Sequence, residues 1–472
     1  MSEDFFAHAY GVDQQTYETL LREGLSRGGD YCELFFQQSF SATIGLEDGK
    51  VCSAHRSADV GIGIRVVAGD CTGYAFSEEL ELASMLDAAR IAAGIADGGK
   101  TIEPQPITHK RTANYYPVER WWSDVSLDER LPLLEQVERR AVAADSRVLT
   151  VRANLVDAES HVLVVNSLGD MRSDHRPLTL LKVSCVASDG VRREENGFNL
   201  SGRHGREFWS EQTLHAVADE AVARTTLLFE ARRPEAGEMP VVMAAGSSGI
   251  LLHEAIGHGM EADFNRKGIS IYADALGQSI ADRSVSIVDD GTVLASRGAI
   301  NVDDEGCDSQ RTVLVENGVL RSYMHDRISA LHYGVEPTGN GRRQSFRYAP
   351  LPRMRCTYME SGPYSPEEII KTIDRGIYAQ TFTNGQVRIG AGDFTFYVKS
   401  GYLIENGKLT APIKDVNLIG NGPEVLKKVV MVGDDMKIDS GGWTCGKNGQ
   451  SVPVSIGMPT VKVSAITVGG VS

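Results

Sequence analysis

The stretch Leu251-Leu252-His253-Glu254-Ala255-Ile256-Gly257-His258-Gly259-Met260-Glu261-Ala262-Asp263 follows the uncharged, largely apolar run Val241 to Leu252. It sets a histidine on each side of a glutamate. A zinc hydrolase needs these groups close together: neutral imidazoles hold a borderline-soft metal, and a carboxylate beside it takes a proton from the attacking water. The short zinc-protease motif spaces its histidines by four, so a regular helix puts both on one face. Here the spacing is five, which leaves the imidazoles roughly 140° apart on an ideal helix at ~100° per residue. A π-type turn closes after five residues and would bring them together. Gly257 and Gly259 make such a distortion cheap. The spacing therefore predicts His253 on the last regular turn of a helix and His258 at or just past a break. Two histidines five apart also occur as unrelated core or surface residues, and the residues alone leave the third ligand open among Glu261, Asp263, another histidine and the cysteines.

The segment His253 to Gly268 resembles the signature of the TldD/PmbA family, specifically its TldD branch of zinc metallopeptidases. The similarity continues through Val288-Asp289-Asp290-Gly291-Thr292, Asn301-Val302-Asp303-Asp304-Glu305-Gly306 and Pro337-Thr338-Gly339-Asn340-Gly341-Arg342-Arg343. It ends with Leu418-Ile419-Gly420-Asn421-Gly422-Pro423 and Thr444-Cys445-Gly446-Lys447-Asn448-Gly449-Gln450-Ser451-Val452-Pro453. These segments span the second half in order, while the first half matches more loosely. The resemblance implies Zn2+ bound by His253, His258 and Cys445, with Glu254 as the base that activates a zinc-bound water. It also implies unfolded or small-peptide substrates, with roles in peptide-precursor maturation or clearance of labile small proteins. A dimer is implied too, either a homodimer or a heterodimer with a PmbA/TldE-like subunit that lacks the metal motif.

At 472 residues the chain is long enough for two or three domains with sizeable cores. Its composition, 42% hydrophobic and 24% charged, is that of a soluble globular protein. A formal charge of −15 argues against a nucleic-acid partner, which needs a basic footprint. The start Met1-Ser2-Glu3-Asp4-Phe5-Phe6 has no basic region or apolar core of the signal-peptide kind. The run Val241 to Leu252 falls short of the ~18 residues of a membrane span. A cytoplasmic protein that does not engage the membrane is expected. Cys32, Cys52, Cys71, Cys185, Cys307, Cys356 and Cys445 are dispersed without a Cys-x-x-Cys pair, the pattern of reduced thiols. Cys445 stands out because Gly441-Gly442 and Gly446 let a short thiolate approach a metal.

Periodicity and turn chemistry predict an α+β protein: a mixed αβ region followed by a β-rich, barrel-like catalytic domain carrying the metal-binding helix. The expected units are 1–105, 120–233 and 234–472, with Arg232-Arg233-Pro234-Glu235-Ala236-Gly237 as the clearest boundary. In the first, Asp13 to Arg22 reads as a helix and Tyr31 to Gln38, Ala42 to Leu46 and Val60 to Phe76 as strands. Ser77 reads as the cap of a helix with Leu82, Met85, Leu86 and Ala89 on one face. Thr101 to Trp122 is a connector whose Trp121-Trp122 pair suits inter-domain packing. In the second unit Ser126 and Glu129 form a capping box, strands fall at Val148 to Leu155, His161 to Asn166 and Leu178 to Ala187, and Trp209 to Glu230 is a helix. In the third, hairpin turns are expected at Asn317-Gly318, Asn384-Gly385 and Asn406-Gly407, after the one at Asp48-Gly49 in the first. A serine of Gly246-Ser247-Ser248-Gly249 is available to cap the motif helix. Ser365, Pro366 and Glu368 open another helix, stopped by Gly376.

Rival chemistries are weaker. Gly441 to Lys447 fits the start of a phosphate-binding loop, but Asn448 replaces the required hydroxyl residue and no helix follows. No Gly-x-Ser-x-Gly elbow occurs. Cys445 as a nucleophile with a histidine base, or a non-catalytic peptide-binding or assembly subunit with structural zinc, are the alternatives of different class. Glu261 and Asp263 are candidate acceptors for imidazole N–H groups, though Asp263 also suits a cap. Arg342 and Arg343 are candidates to hold a substrate carboxylate, against a plain reading as a tight turn with solvated charges.

Overall fold

A computed structural model describes residues 5–96, 98, 102–388 and 391–470. Met1–Asp4 and Thr101, where the expected connector begins, lie outside the described residues. The first half is built on one seven-stranded sheet. Its order is Cys71–Ser77, Lys50–Ala68, Tyr31–Glu47, Val148–Asn166 and Asp170–Ser188, the last of these pairing with both Thr108–His109 and Arg193–Gly202. Strands of the first two expected units thus pair directly, Tyr31–Glu47 against Val148–Asn166. The segments Tyr31 to Gln38 and Ala42 to Leu46 are one strand, as are Val148 to Leu155 and His161 to Asn166. The polar residues that broke the apolar alternation pair across strands: Ser39 with Ser160 at 3.0 Å and Ser41 with Ser57 at 2.7 Å.

One face of the sheet carries two helix-covered cores. Gln14–Gly24 and Leu82–Ile95 pack on Leu34, Phe36, Ile64 and Leu163. Leu127–Ala144 and Glu211–Leu227 pack on Ile44, Leu155, Leu181 and Val183, with Trp122 and Trp209 in the same cluster. The capping box of Ser126 and Glu129 forms as expected. Ser77 instead ends a strand, and Glu81 occupies the N-cap of Leu82–Ile95. Leu82 is exposed because this helix docks through Met85, Ala88, Ala89 and Ala92. At Gly73 a Cβ would lie 2.0 Å from the Ala92 carbonyl oxygen, so the docking depends on missing side-chain atoms.

The opposite sheet face, through Phe35, Val162 and Val164, meets Phe346 of the second half. A buried ion network joins the halves beside it. Arg65 bridges Glu33 at 2.8 Å and Glu305 at 2.5 Å, Arg176 bridges Asp174 at 2.8 Å and Asp304 at 2.6 Å, and Arg343 pairs with Glu33.

The second half contains a closed five-strand barrel in the order Lys408–Asn421, Asp393–Glu405, Arg375–Arg388, Gly237–Met243, Val461–Gly470 and back to Lys408–Asn421. Closure removes the sheet edges and leaves an apolar interior of Val241, Ile377, Phe396, Val416 and Val463. A six-stranded sheet centred on Ile287–Asp290 and Cys356–Met359 lies on the other side of the motif segment. The turns at Asp48-Gly49, Asn317-Gly318 and Asn406-Gly407 form with both residues at positive φ. Asn384-Gly385 is not a turn, since strand Arg375–Arg388 runs through it. A Cβ at Gly385 would lie 2.5 Å from the Phe396 ring. Gly376 begins the same strand rather than stopping Pro366–Lys371, and a Cβ there would lie 2.5 Å from the Pro240 carbonyl oxygen. Both glycines serve close approach. The capping box of Ser365 and Glu368 is present. Among the described residues, no helix is long and apolar enough to cross a membrane.

A candidate metal centre

The motif segment is three short helical pieces in a row: an α-helical turn Ile250–Leu252, a π-turn His253–Gly257 and a 3-10 turn His258–Met260. The five-residue spacing is thus met by a π-turn, which returns the chain to the same face after five residues. The His253 and His258 rings stand 5.0 Å apart at 84° to one another. The serines of Gly246–Gly249 make no capping bond. Ser247 Oγ donates to the Gln380 carbonyl at 3.0 Å instead. Leu251, Leu252 and Ile256 are buried between barrel and sheet, and each contributes roughly 2 kcal/mol of burial. That packing holds a segment whose own hydrogen bonding is irregular. Carbonyls left over by the widening find side-chain donors: Tyr272 Oη on Ala255 O at 3.2 Å, and Asn265 Nδ2 and Ser270 Oγ on Gly259 O at 2.8 Å each.

The two glycines act differently from the expectation. Gly257 has ordinary right-handed backbone angles, so it does not supply a special conformation. A Cβ on it would lie 2.1 Å from Met354 Sδ, and one on Gly259 2.7 Å from the Tyr272 ring. They are small so that the segment packs closely.

Cys445 comes from a β-hairpin, Thr444–Lys447 with Gln450–Pro453, turned by Asn448-Gly449. This pairing removes the phosphate-loop reading, because no helix N-terminus is present. The ligand atoms of His253, His258 and Cys445 all lie within 4.8 Å of one another, and Cys445 Sγ is 3.6 Å from His258 Nε2. All three side chains are buried. Burial pushes the Cys445 thiol up, but the two imidazoles outweigh it and bring the thiol down to about 5. His253 Nδ1 is buried without a hydrogen-bond partner. Two imidazoles and an ionised thiolate converging on one point fit a zinc-class ion. Glu254 is half-buried next to them, and burial raises its carboxyl above the ordinary value.

Behind the centre, Glu261 accepts from His258 Nδ1 at 3.0 Å and is fully buried. Burial raises its carboxyl, and Lys447, His258 and Arg353 together outweigh that and lower it to about 2. Asp263 takes no imidazole and caps nothing. It lies inside the helix Ala262–Arg266 and accepts from Lys447 Nζ at 2.6 Å. Lys447 also sits 3.2 Å from Glu261 and 4.2 Å from the Phe264 ring centroid. Two residues outside the candidate set join the site: Lys447, which the sequence offers only to a phosphate loop, and Arg353, whose Nη2 donates to the Cys445 carbonyl at 2.7 Å. The alternation Cys445-x-Lys447 was a usable signal, since i and i+2 on a strand share a face. Arg342 and Arg343 are neither solvated nor placed to take a substrate carboxylate. Arg342 bonds the Met354 and Pro453 carbonyls, at 2.5 and 2.8 Å, and Arg343 bonds Glu33 and the Asp304 carbonyl. Both guanidinium groups are buried, and their terminal nitrogens bond within the chain.

Family models describe the three parts of the chain in turn: PmbA/TldA metallopeptidase domain 1 over residues 32–96, the central domain over 121–229 and the C-terminal domain over 236–470. A metalloprotease TldD homolog of Haemophilus influenzae is 40% identical, with 94% of each chain covered. The chain belongs to the PmbA/TldD metallopeptidase family. It is a protease of that family. A zinc metalloprotease TldD homolog of Saccharolobus solfataricus is 37% identical over 50% of this chain and 53% of its own. The crystal structure of TldE from Thermococcus kodakarensis shares the PmbA/TldD fold at TM-score 0.75 and 19% identity, covering 96% of this chain and all of that one.

Proposed function

We propose that the metallopeptidase works with zinc held by His253, His258 and Cys445 and with Glu254 as its acid–base group, on unfolded or small peptides. The observation that carries this reading is the convergence of the three donor atoms within 4.8 Å, two from one widened helical segment and the third from a hairpin 187 residues away, beside a half-buried glutamate. Zinc, when bound, supplies Lewis acidity to the attacking water and the scissile carbonyl. Glu254 takes the proton of the attacking water at its carboxylate and gives it to the leaving amine. Glu261 fixes the His258 tautomer by accepting at Nδ1, leaving Nε2 toward the donor set. Lys447 and Arg353 hold Glu261 and the Cys445 backbone in place.

The substrate class, the roles in precursor maturation or clearance, a cytoplasmic site of action and a dimer with itself or a TldE-like subunit rest on the family. The fold shared with TldE supports the last of these, and seven unpaired cysteines suit a reducing compartment. A cysteine-nucleophile reading draws on the depressed Cys445 thiol, but that side chain is only 1% exposed. The test is metal content and peptide hydrolysis in wild type, Cys445→Ala and Glu254→Gln. We expect zinc to be lost in the first variant. The second should retain zinc and lose about 10²- to 10⁴-fold in activity. Hydrolysis that survives chelation would return the site to cysteine chemistry, a Glu254→Gln protein that unfolds or loses zinc would favour a structural zinc, and one of normal activity would remove Glu254 as the base.

A further inference from the structure

A second group of metal-type donors lies on the large sheet, in the first half of the chain. His161 and His175 are directly opposite one another on the antiparallel strands Val148–Asn166 and Asp170–Ser188. Glu159 precedes His161 by two residues and therefore shares its face. One donor atom from each of Glu159, His161 and His175 lies within 4.8 Å of the others, and His175 Nε2 is 2.8 Å from Glu159 Oε1. Glu159 also accepts from Ser123 N at 3.0 Å and Ser123 Oγ at 3.2 Å, which ties the connector to the sheet. The three side chains line a cavity of about 660 Å³.

The rings form one stack. His161 and His175 are 3.8 Å apart and 16° from parallel, Phe5 covers His161 at 3.8 Å, and Trp121 covers His175 at 3.5 Å. Packing alone explains two stacked imidazoles between aromatic rings. It does not explain why both are placed with a carboxylate on one face at cross-strand and i, i+2 positions. Those positions bring three side chains to one point without backbone irregularity.

We propose that Glu159, His161 and His175 form a second divalent-cation site, selective for an imidazole-preferring ion of the zinc class, which clips the two strands to the Ser123 connector. Two imidazoles with one carboxylate leave a coordination position toward the cavity, and their donor type disfavours Mg²⁺ and Ca²⁺. Cofacial imidazoles point their lone pairs in parallel, so binding requires the two rings to splay. Trp121, stacked on His175, reports that movement.

The experiment is titration of the full-length chain with Zn²⁺ alone against a chromophoric chelator, with tryptophan emission followed in parallel. Wild type should take up two equivalents and His161→Gln one. In Cys445→Ala the equivalent that remains should disappear when His161→Gln is added. Emission should change during filling of this site and stay constant in Trp121→Phe. Glu159→Gln and His175→Asn provide independent variants, each expected to weaken the second equivalent by about tenfold or more. One equivalent in wild type that is indifferent to His161→Gln overturns the proposal. The His253 site fails separately: its loss would remove the equivalent sensitive to Cys445→Ala and leave the one sensitive to His161→Gln.

Discussion

Replacing Lys447 by methionine tests how the residues behind the candidate metal centre are held. Lys447 is 6% exposed and is the ammonium nearest two buried carboxylates, Asp263 at 2.6 Å and Glu261 at 3.2 Å. Glu261 keeps His258 at 3.0 Å and Arg353 at 3.8 Å after the change. Among the described residues, Asp263 keeps no cation at salt-bridge distance. One carboxylate is therefore left uncompensated, and breaking a buried pair in this way costs about 3–5 kcal/mol. Burial already raises the Asp263 carboxyl, and losing Lys447 raises it further. A group whose folded pKa is raised contributes stability at low pH that is lost as pH rises through that pKa. The deficit should consequently be smaller near pH 5 than near pH 8. The assay is urea denaturation of the chelated protein at both pH values, with Asp263→Asn/Lys447→Met as the neutral control. The double variant should recover about half of the loss or more, since no unpaired charge remains. A single-variant deficit below about 1 kcal/mol, or one equal in single and double variants, would refute the reasoning.

Gly257→Ala places a Cβ 2.1 Å from Met354 Sδ, so it should cost about 1–3 kcal/mol in a urea melt, and Met354→Ala in the same chain should reverse part of that. Glu261→Gln leaves the His258 N–H with a weaker acceptor and should reduce zinc affinity about 10- to 100-fold in a chelator competition, with hydrolysis restored at saturating zinc. Glu129 is lowered to about 2 by the Ser126 backbone N–H and by Arg120. Its stabilising effect is thus complete above the unfolded value of ~4.3 and lost as pH falls toward 2. The stability gap between wild type and Glu129→Gln should be flat at neutral pH and close on acidification; a constant gap down to pH 2 would contradict the capping box.

Local chemistry was readable wherever neighbours in sequence are also neighbours in space. The capping boxes at Ser126 and Ser365, the turns at Asp48-Gly49, Asn317-Gly318 and Asn406-Gly407, and the π-turn between His253 and His258 all depend on spacings of a few residues. Glycines misled where their role was distant. Gly257, Gly376 and Gly385 read as breaks or turns, and each is small because a residue from another segment comes within 2.1 to 2.5 Å of its missing Cβ. Polar residues inside strands misled likewise, because Ser39 and Ser41 find partners only across the sheet.

By itself the sequence determined the α+β class, the helix and turn positions set by short-range geometry, and a histidine pair that only a widened turn can bring together. Tertiary structure decided the rest. Barrel closure sets Val461–Gly470 against Gly237–Met243, and the hairpin carrying Cys445 arrives on His258 from 187 residues away. It also buried Lys447 between Glu261 and Asp263, turned Arg342 and Arg343 inward, and assembled Glu159, His161 and His175 on one sheet face. The physical reason is the same in each case. Residue type sets what a side chain can bond, but whether a buried charge is paired, and with what, depends on contacts that sequence spacing does not encode.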